Sequence, residues 1–184
     1  MKSYQAQLLV AAPSLEDPNF FHTVVLVLVH TDQGAFGLVL NRPTDISVKQ
    51  VWKSMEETSS CARREPLFWG GPVSQRLCCL HTTPGEAQET VLPGVYFTVE
   101  RDSLRNVLRK KTGSVRLFNG FAGWGPGQLE GEVADGGWLT LPASPELTFL
   151  APDELWQRTL NDIGEQVLRP LLGKSPLPPN PSVN

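Results

Sequence analysis

Cysteine is scarce in this chain: three in 184 residues, Cys61, Cys78 and Cys79, with no C-x-x-C spacing. An odd count does not suit a disulfide framework. Adjacent Cys78 and Cys79 point to opposite faces of a strand, which makes them poor joint ligands, so no metal site is expected. Long apolar runs are missing too. The longest, residues 24–29, has six residues, against about 20 for a membrane-spanning helix. The run 8–12 near the N-terminus follows a single lysine, Lys2, and is too short for an export-signal core. The expectation is a cytoplasmic protein without a membrane segment. A charge excess is absent as well. Sixteen Lys and Arg face 19 Asp and Glu, for a net charge of -3, which excludes a strongly basic nucleic-acid binder on bulk electrostatics. No G-x-G-x-x-G, Lys-Ser/Thr phosphate loop or G-x-S-x-G nucleophile turn occurs, so no cofactor is expected.

What is present is a core and an excess of chain breakers. Hydrophobic residues make up 40% and charged residues 19%, a composition that folds. Glycine and proline, 16 each, reach about 17% of the chain against roughly 12% in ordinary proteins, which argues against a helical bundle. Eight of the 16 glycines fall between residues 113 and 137, and four of the 16 prolines after residue 175. One domain is expected over residues 1–173, followed by a proline-rich flexible or polyproline-II tail over 174–184 with P-x-x-P spacing.

Residues 5–12 read as a strand. Residues 23–30, β-branched and continuously apolar, read as a strand buried on both faces. Asp32-Gln33-Gly34 turns the chain into a second hairpin arm over 35–41. Ile46, Val48, Val51, Trp52 and Met55 recur at helical spacing behind Asp45 or Ser47 as cap, and 56–66 is a polar loop. Short strands follow at 67–69, 77–82, 95–99, 115–118 and 138–141, with a loop at 84–93. Asp102 caps a helix carrying Leu104, Val107 and Leu108, and Gly113 suits its C-terminal turn. Residues 128–134 form a short helix. Pro152 opens the last helix, striped by Leu155, Trp156, Leu160, Ile163 and Val167. Hairpins mixed with isolated helices indicate an α+β fold.

Three segments carry a family resemblance. Gly34-Ala35-Phe36-Gly37-Leu38-Val39-Leu40-Asn41-Arg42-Pro43 resembles the signature hairpin of the AlgH/YqgE family. Gly70-Gly71-Pro72-Val73 is similar to its second block, and Gly120-Phe121-Ala122-Gly123-Trp124-Gly125-Pro126-Gly127-Gln128-Leu129-Glu130 to its third. The opening segment from Leu9 to Phe20 and the helix containing Trp156 agree as well. The resemblance implies a single compact domain of coiled, barrel-like, mostly antiparallel β-sheets with flanking helices. Members carry a transcriptional-regulator label inherited from a genetic link to alginate production, an association rather than a mechanism. Gly131 departs from the pattern, where a helix-favouring residue is more usual, and weakens the short helix there.

The chemistry-bearing candidates are few. Segment 120–127 has four glycines, which either form a tight turn packed by Trp124 or an anion nest of successive N–H groups for a small anion or peptide. Arg42, beside Asn41 and Pro43, either clamps a carboxylate or phosphate or pairs internally with Glu130. The tentative binding set is therefore Asn41, Arg42, Gly70, Gly71, Gly120, Gly123, Trp124, Gly127, Gln128 and Glu130, with no catalytic residue. Glu130 and Glu132 diverge on a helix and read as solvated surface. His22, His30 and His81 border apolar strands and read as core or strand-end residues, although Cys79 and His81 share a strand face. Cys61 lies near Arg63 and Arg64, which favours a reactive thiol, or it sits idle in a loop. Residues 101–116 hold six Lys or Arg against Asp102; without a helix-turn-helix pattern this reads as end-of-helix charge rather than a DNA contact. The expected protein is a non-enzymatic binding or regulatory one with a protein or small-molecule partner. The alternative is an enzyme or anion-binding factor using segment 120–130 with Arg42.

Overall fold

The apolar run at 23–30 builds the middle of a sheet. In the computed structural model, which describes residues 3–55, 61 and 63–172, β1 (Gln7–Ala11), β2 (Val24–Thr31) and β3 (Gly34–Val39) pair antiparallel in order. Val24, Leu26 and Leu28 enter one apolar cluster, Val25 and Val27 another. This is the two-residue alternation of a strand covered on both faces. A bulge between Val27 and Val29 then turns Val29 outward, 37% exposed.

The chain continues through β4 (Pro43–Ser47), α1 (Val48–Ser54), β5 (Pro66–Trp69), β6 (Val73–His81), a 3-10 turn (Pro84–Glu86), β7 (Glu89–Leu92), β8 (Val95–Thr98) and α2 (Arg101–Arg109). It ends with β9 (Val115–Trp124), α3 (Gln128–Ala134), β10 (Trp138–Pro142), α4 (Pro145–Thr148) and α5 (Pro152–Leu172). The strands run β10-β1-β2-β3-β9-β6-β8-β7, with β5 beside β9 and β4 beside β5. Every pairing is antiparallel except β5 with β9. The result is one α+β domain with a curled half-barrel sheet and flanking helices, as expected.

β9 is where the sheet forks. One edge pairs with β6 along most of its length. On the other edge Leu117–Asn119 pair with β5, and Ala122–Trp124 pair with β3. Gly70 fills the fork. Its N–H donates to Asn119 O and its carbonyl accepts from Val39 N–H, both at 2.9 Å. A Cβ on Gly70 would lie 2.1 Å from Gly120 O, and one on Gly71, whose φ is +147°, 2.2 Å from Phe121 C. Only backbone fits between those strands.

Helices cover three apolar clusters. α5 lays Leu155, Trp156, Leu160 and Ile163 on the face of β1 and β10, but Val167 is 62% exposed, because the helix outruns the sheet. α1 and α2 cover Leu67, Cys79 and Leu117. Of the two expected caps for α1 the structure uses Ser47, which forms a capping box with Gln50, while Ile46, expected on the helix, is exposed in β4. Asp102 lies in the first turn of α2 rather than at its cap, which is Glu100, and Gly113 falls beyond the helix end. The expected loop at 84–93 contains β7, and α4 was not anticipated, since its Ser144-Pro145 start holds a single turn. α3 forms in spite of Gly131. Residues 56–60 and 62 of the expected loop, and the proline-rich tail, lie outside the described residues.

Arg116 is a buried guanidinium with no carboxylate partner among the described residues. It donates to Leu40 O, Thr148 O and Leu150 O and lies 4.6 Å over the Phe68 ring. Burial lowers its pKa to about 10, so it remains charged at neutral pH. Among the described residues no helix is long and apolar enough to cross a membrane.

Candidate functional site

The connection between β1 and β2 organises the most built surface of the molecule. Asp17 Oδ1 accepts the backbone N–H groups of Asn19 (2.7 Å) and Phe20 (3.2 Å), an Asx turn. Ala12 N–H anchors the start of the loop to Gly137 O at 3.0 Å. Asn41 anchors its end, donating to His22 O and accepting from Val24 N–H, both at 2.9 Å. Arg42 adds a bond from Nη2 to Phe21 O. His22 sits at φ +52°, a left-handed conformation uncommon for a side-chain-bearing residue. Its ring is sandwiched between Phe21 at 3.7 Å and Trp156 at 3.8 Å. Phe20 turns inward and Phe21 outward.

On one side of this loop lies a recess of about 390 Å³ lined by Leu15, Asp17, Phe20, Gly123, Trp124, Gln128, Glu132, Asp135, Gly137 and Trp138. Phe20 stacks on Trp124 at 6.2 Å and meets Trp138 edge-on at 5.4 Å. At its wall the Glu132 carboxylate accepts three hydrogen bonds. Oε2 takes Trp124 Nε1–H (2.9 Å) and Trp138 Nε1–H (2.8 Å), and Oε1 takes Gln128 Nε2–H (2.8 Å). Gln128 Oε1 in turn accepts Gly125 N–H at 3.0 Å. One carboxylate thus fixes two indoles, an amide and the turn before α3. The lining carries three carboxylates and no Lys, Arg or His.

On the other side lies a shallower recess of about 330 Å³ lined by Pro18, Asn19, Arg42, Pro43 and Trp69. Its one charged group is Arg42. Trp69 N–H donates to Arg42 O at 2.8 Å, tying the end of β5 to the start of β4.

The expected binding set therefore divides. Gly123, Trp124 and Gln128 line the acidic recess, Arg42 lines the other, and Asn41 anchors the loop between them. Gly70, Gly71 and Gly120 are buried at the fork of β9; backbone occupies the space a side chain on Gly70 or Gly71 would take, and Gly120 has a left-handed φ of +79°. Gly127 is the left-handed residue before α3, at φ +73°. The expected pair between Arg42 and Glu130 does not form. Glu130 instead faces His30, Oε1 to Nε2 at 3.1 Å. His30 Nδ1 accepts Tyr4 N–H at 3.0 Å, which puts the ring proton on Nε2. The anion nest does not form either, because residues 120–124 belong to β9 and Gly125 N–H is taken by Gln128.

Glu132 was expected to be solvated surface and is the hub of the recess. The signal for it was a glutamate four residues after Gln128 on one helix face, with two nearby tryptophans whose N–H groups need acceptors. Elsewhere burial weighs against the two strand cysteines. Burial pushes the Cys78 thiol up to about 12 and that of Cys79 higher still, which disfavours the nucleophilic thiolate. His81 Nδ1 accepts Thr83 N–H at 3.2 Å. Cys61 Sγ lies 3.8 Å from Leu108 O. Most of the basic segment is internally engaged: Arg101 reaches Met55 O, Arg105 pairs with Asp102, Lys110 with Glu86, and Arg109 lies over Trp52.

Known proteins resemble the chain along nearly its whole length. The AlgH-like family model matches residues 8–168. A UPF0301 protein of Thioalkalivibrio sulfidiphilus is 42% identical over 168 residues, covering 88% of this chain and 90% of that protein. One from Myxococcus xanthus is 36% identical over 178 residues, covering 95% and 98%. The solution structure of AlgH from Pseudomonas aeruginosa superimposes with a TM-score of 0.74 at 29% identity, covering 97% of this chain and all of that one. The crystal structure of a Corynebacterium diphtheriae protein gives 0.70 at 25% identity, with 88% of each covered. From the block pattern of its sequence to its forked sheet, the chain belongs to the AlgH-like family.

Proposed function

We propose that this chain is a non-enzymatic cytoplasmic binding protein with a regulatory role, and that its ligand seats in the recess of Phe20, Trp124, Trp138 and Glu132. One observation carries the reading. A carboxylate at the cavity wall is fixed by two indole N–H groups and an amide, a rigid group aimed at a space of small-molecule size. Recesses that join aromatic walls to a few fixed polar groups are the usual form of a ligand site. The charge of the lining favours a cationic or neutral ligand over the small anion that the glycine content suggested. An anion site combining Arg42 with segment 120–130 finds less support, since the two line different recesses. Three free thiols, two of them buried, fit a reducing compartment.

Tryptophan fluorescence tests the proposal. Titration with spermidine is expected to change the emission saturably, and Glu132→Gln to remove most of the change, while citrate leaves it flat. A flat response to spermidine, or an equal one in Glu132→Gln, contradicts the reading.

A further inference from the structure

The second recess holds a charge that the fold does not neutralise. Arg42 makes one hydrogen bond, to Phe21 O, and no carboxylate lies within ion-pair distance among the described residues. A guanidinium has five N–H donors, so most of its donor capacity is unspent. Three other arginines spend their donors within the fold. Arg63 spends its guanidinium on Glu65, Thr112 O and Gly113 O, Arg116 on three carbonyls, and Arg158 on Asp162.

Arg42 is also held in place. Asn41 before it is bonded through both ends of its amide. Pro43 after it has a fixed φ, the carbonyl of Arg42 itself accepts Trp69 N–H, and its Nη2 donates to Phe21 O in the loop. A half-buried cation fixed at the backbone and at one nitrogen loses little freedom when it binds, and its planar fork matches a carboxylate or phosphate. Beside it stand the Trp69 indole, Asn19, and the rings of Pro18 and Pro43. Arginine with tryptophan in a recess is the composition of binding hot spots.

We propose that the Arg42–Trp69 recess is a second binding site, separate from the acidic one, for an oxyanion carried on an aromatic or similarly flat apolar body. The carboxylate or phosphate pairs with Arg42, and the body lies against Trp69 between the two prolines.

Phenylacetate, phenyl phosphate and inorganic phosphate, added separately to the isotope-labelled full chain, distinguish the cases by chemical-shift mapping. One or both aromatic oxyanions are expected to shift the Trp69 indole and Asn19 amide signals, leaving those of Trp124 and Trp138 in place. Arg42→Lys is expected to weaken this binding about tenfold or more, because an ammonium cannot reproduce the bidentate geometry. Whichever aromatic probe binds identifies the oxyanion. The proposal is overturned if neither shifts Trp69, if inorganic phosphate binds as tightly as both, or if Arg42→Lys binds undiminished. Should that variant fail to fold, the wild-type map decides alone: shifts centred away from Trp69 and Asn19 overturn it.

Discussion

Two recesses flank the loop that Asp17 caps, and they have opposite charge and different construction. On one side, Asp17 and Phe20 face two tryptophans and two further carboxylates, one of which, Glu132, has its hydrogen bonds largely within the fold. On the other, Pro18 and Asn19 face a single arginine whose donors are mostly free. The same loop therefore serves both, but the acidic recess is built into the folding of the domain, whereas the basic one is added at its surface. A structural hub and an unspent guanidinium respond differently to substitution, which separates their roles.

The largest effect should erase both. Gly70→Ala forces a Cβ to 2.1 Å from Gly120 O at the fork of β9, where backbone has no rotamer to yield. The expected loss exceeds the ~1–3 kcal/mol of ordinary overpacking, and thermal unfolding followed by circular dichroism should show a collapsed or absent transition. Glu132→Ala comes next. It leaves the two indole N–H groups without their acceptor, at about 1–3 kcal/mol for each one kept from water, whereas Glu132→Gln retains an acceptor oxygen and should cost less than half as much by urea denaturation. Asn41→Ala should cost about 1–2 kcal/mol and loosen the loop that both recesses share, read as faster amide exchange at Phe20 and Val24. Arg42→Lys should change stability by no more than about 0.5 kcal/mol, the smallest effect of the four. A large loss there would make Arg42 a structural residue and dissolve the contrast.

One prediction lies outside both recesses and serves as their control. Burial lowers the His81 pKa, with Lys110 adding to the effect and Glu86 opposing it. The folded protein then binds a proton at His81 less readily than the unfolded chain does. Its contribution is fully present above the unfolded histidine pKa of about 6.5 and is lost as pH falls below it. Urea midpoints should therefore drop between pH 7.5 and 5.5, and His81→Gln should reduce the slope.

Much of the fold could be read from the chain because its strongest patterns are local. The two-sided burial of residues 23–30, the hairpin at Gly34, the Ser47 cap and the proline start of α5 each follow from neighbouring residues. β4, β7 and α4 carry little local pattern because each is four or five residues long, and β4 owes its form to β5, some twenty residues on. The site divided along the same line. Trp124 and Gln128 stood within one motif and met in one recess. The acceptor role of Glu132 is not local, because it depends on Trp124 of β9 and Trp138 of β10 converging on α3. Gly70 and Gly71 suggested a ligand's close approach, and the group that approaches is another strand.

The five tryptophans allow one measurement to test the division directly. In a nitrogen-15 spectrum of the indole N–H groups, spermidine should move Trp124 and Trp138 and leave Trp69 in place, while phenylacetate or phenyl phosphate should do the reverse. If spermidine leaves Trp124 and Trp138 unmoved, or if a single probe shifts all three together, the two-recess account is wrong.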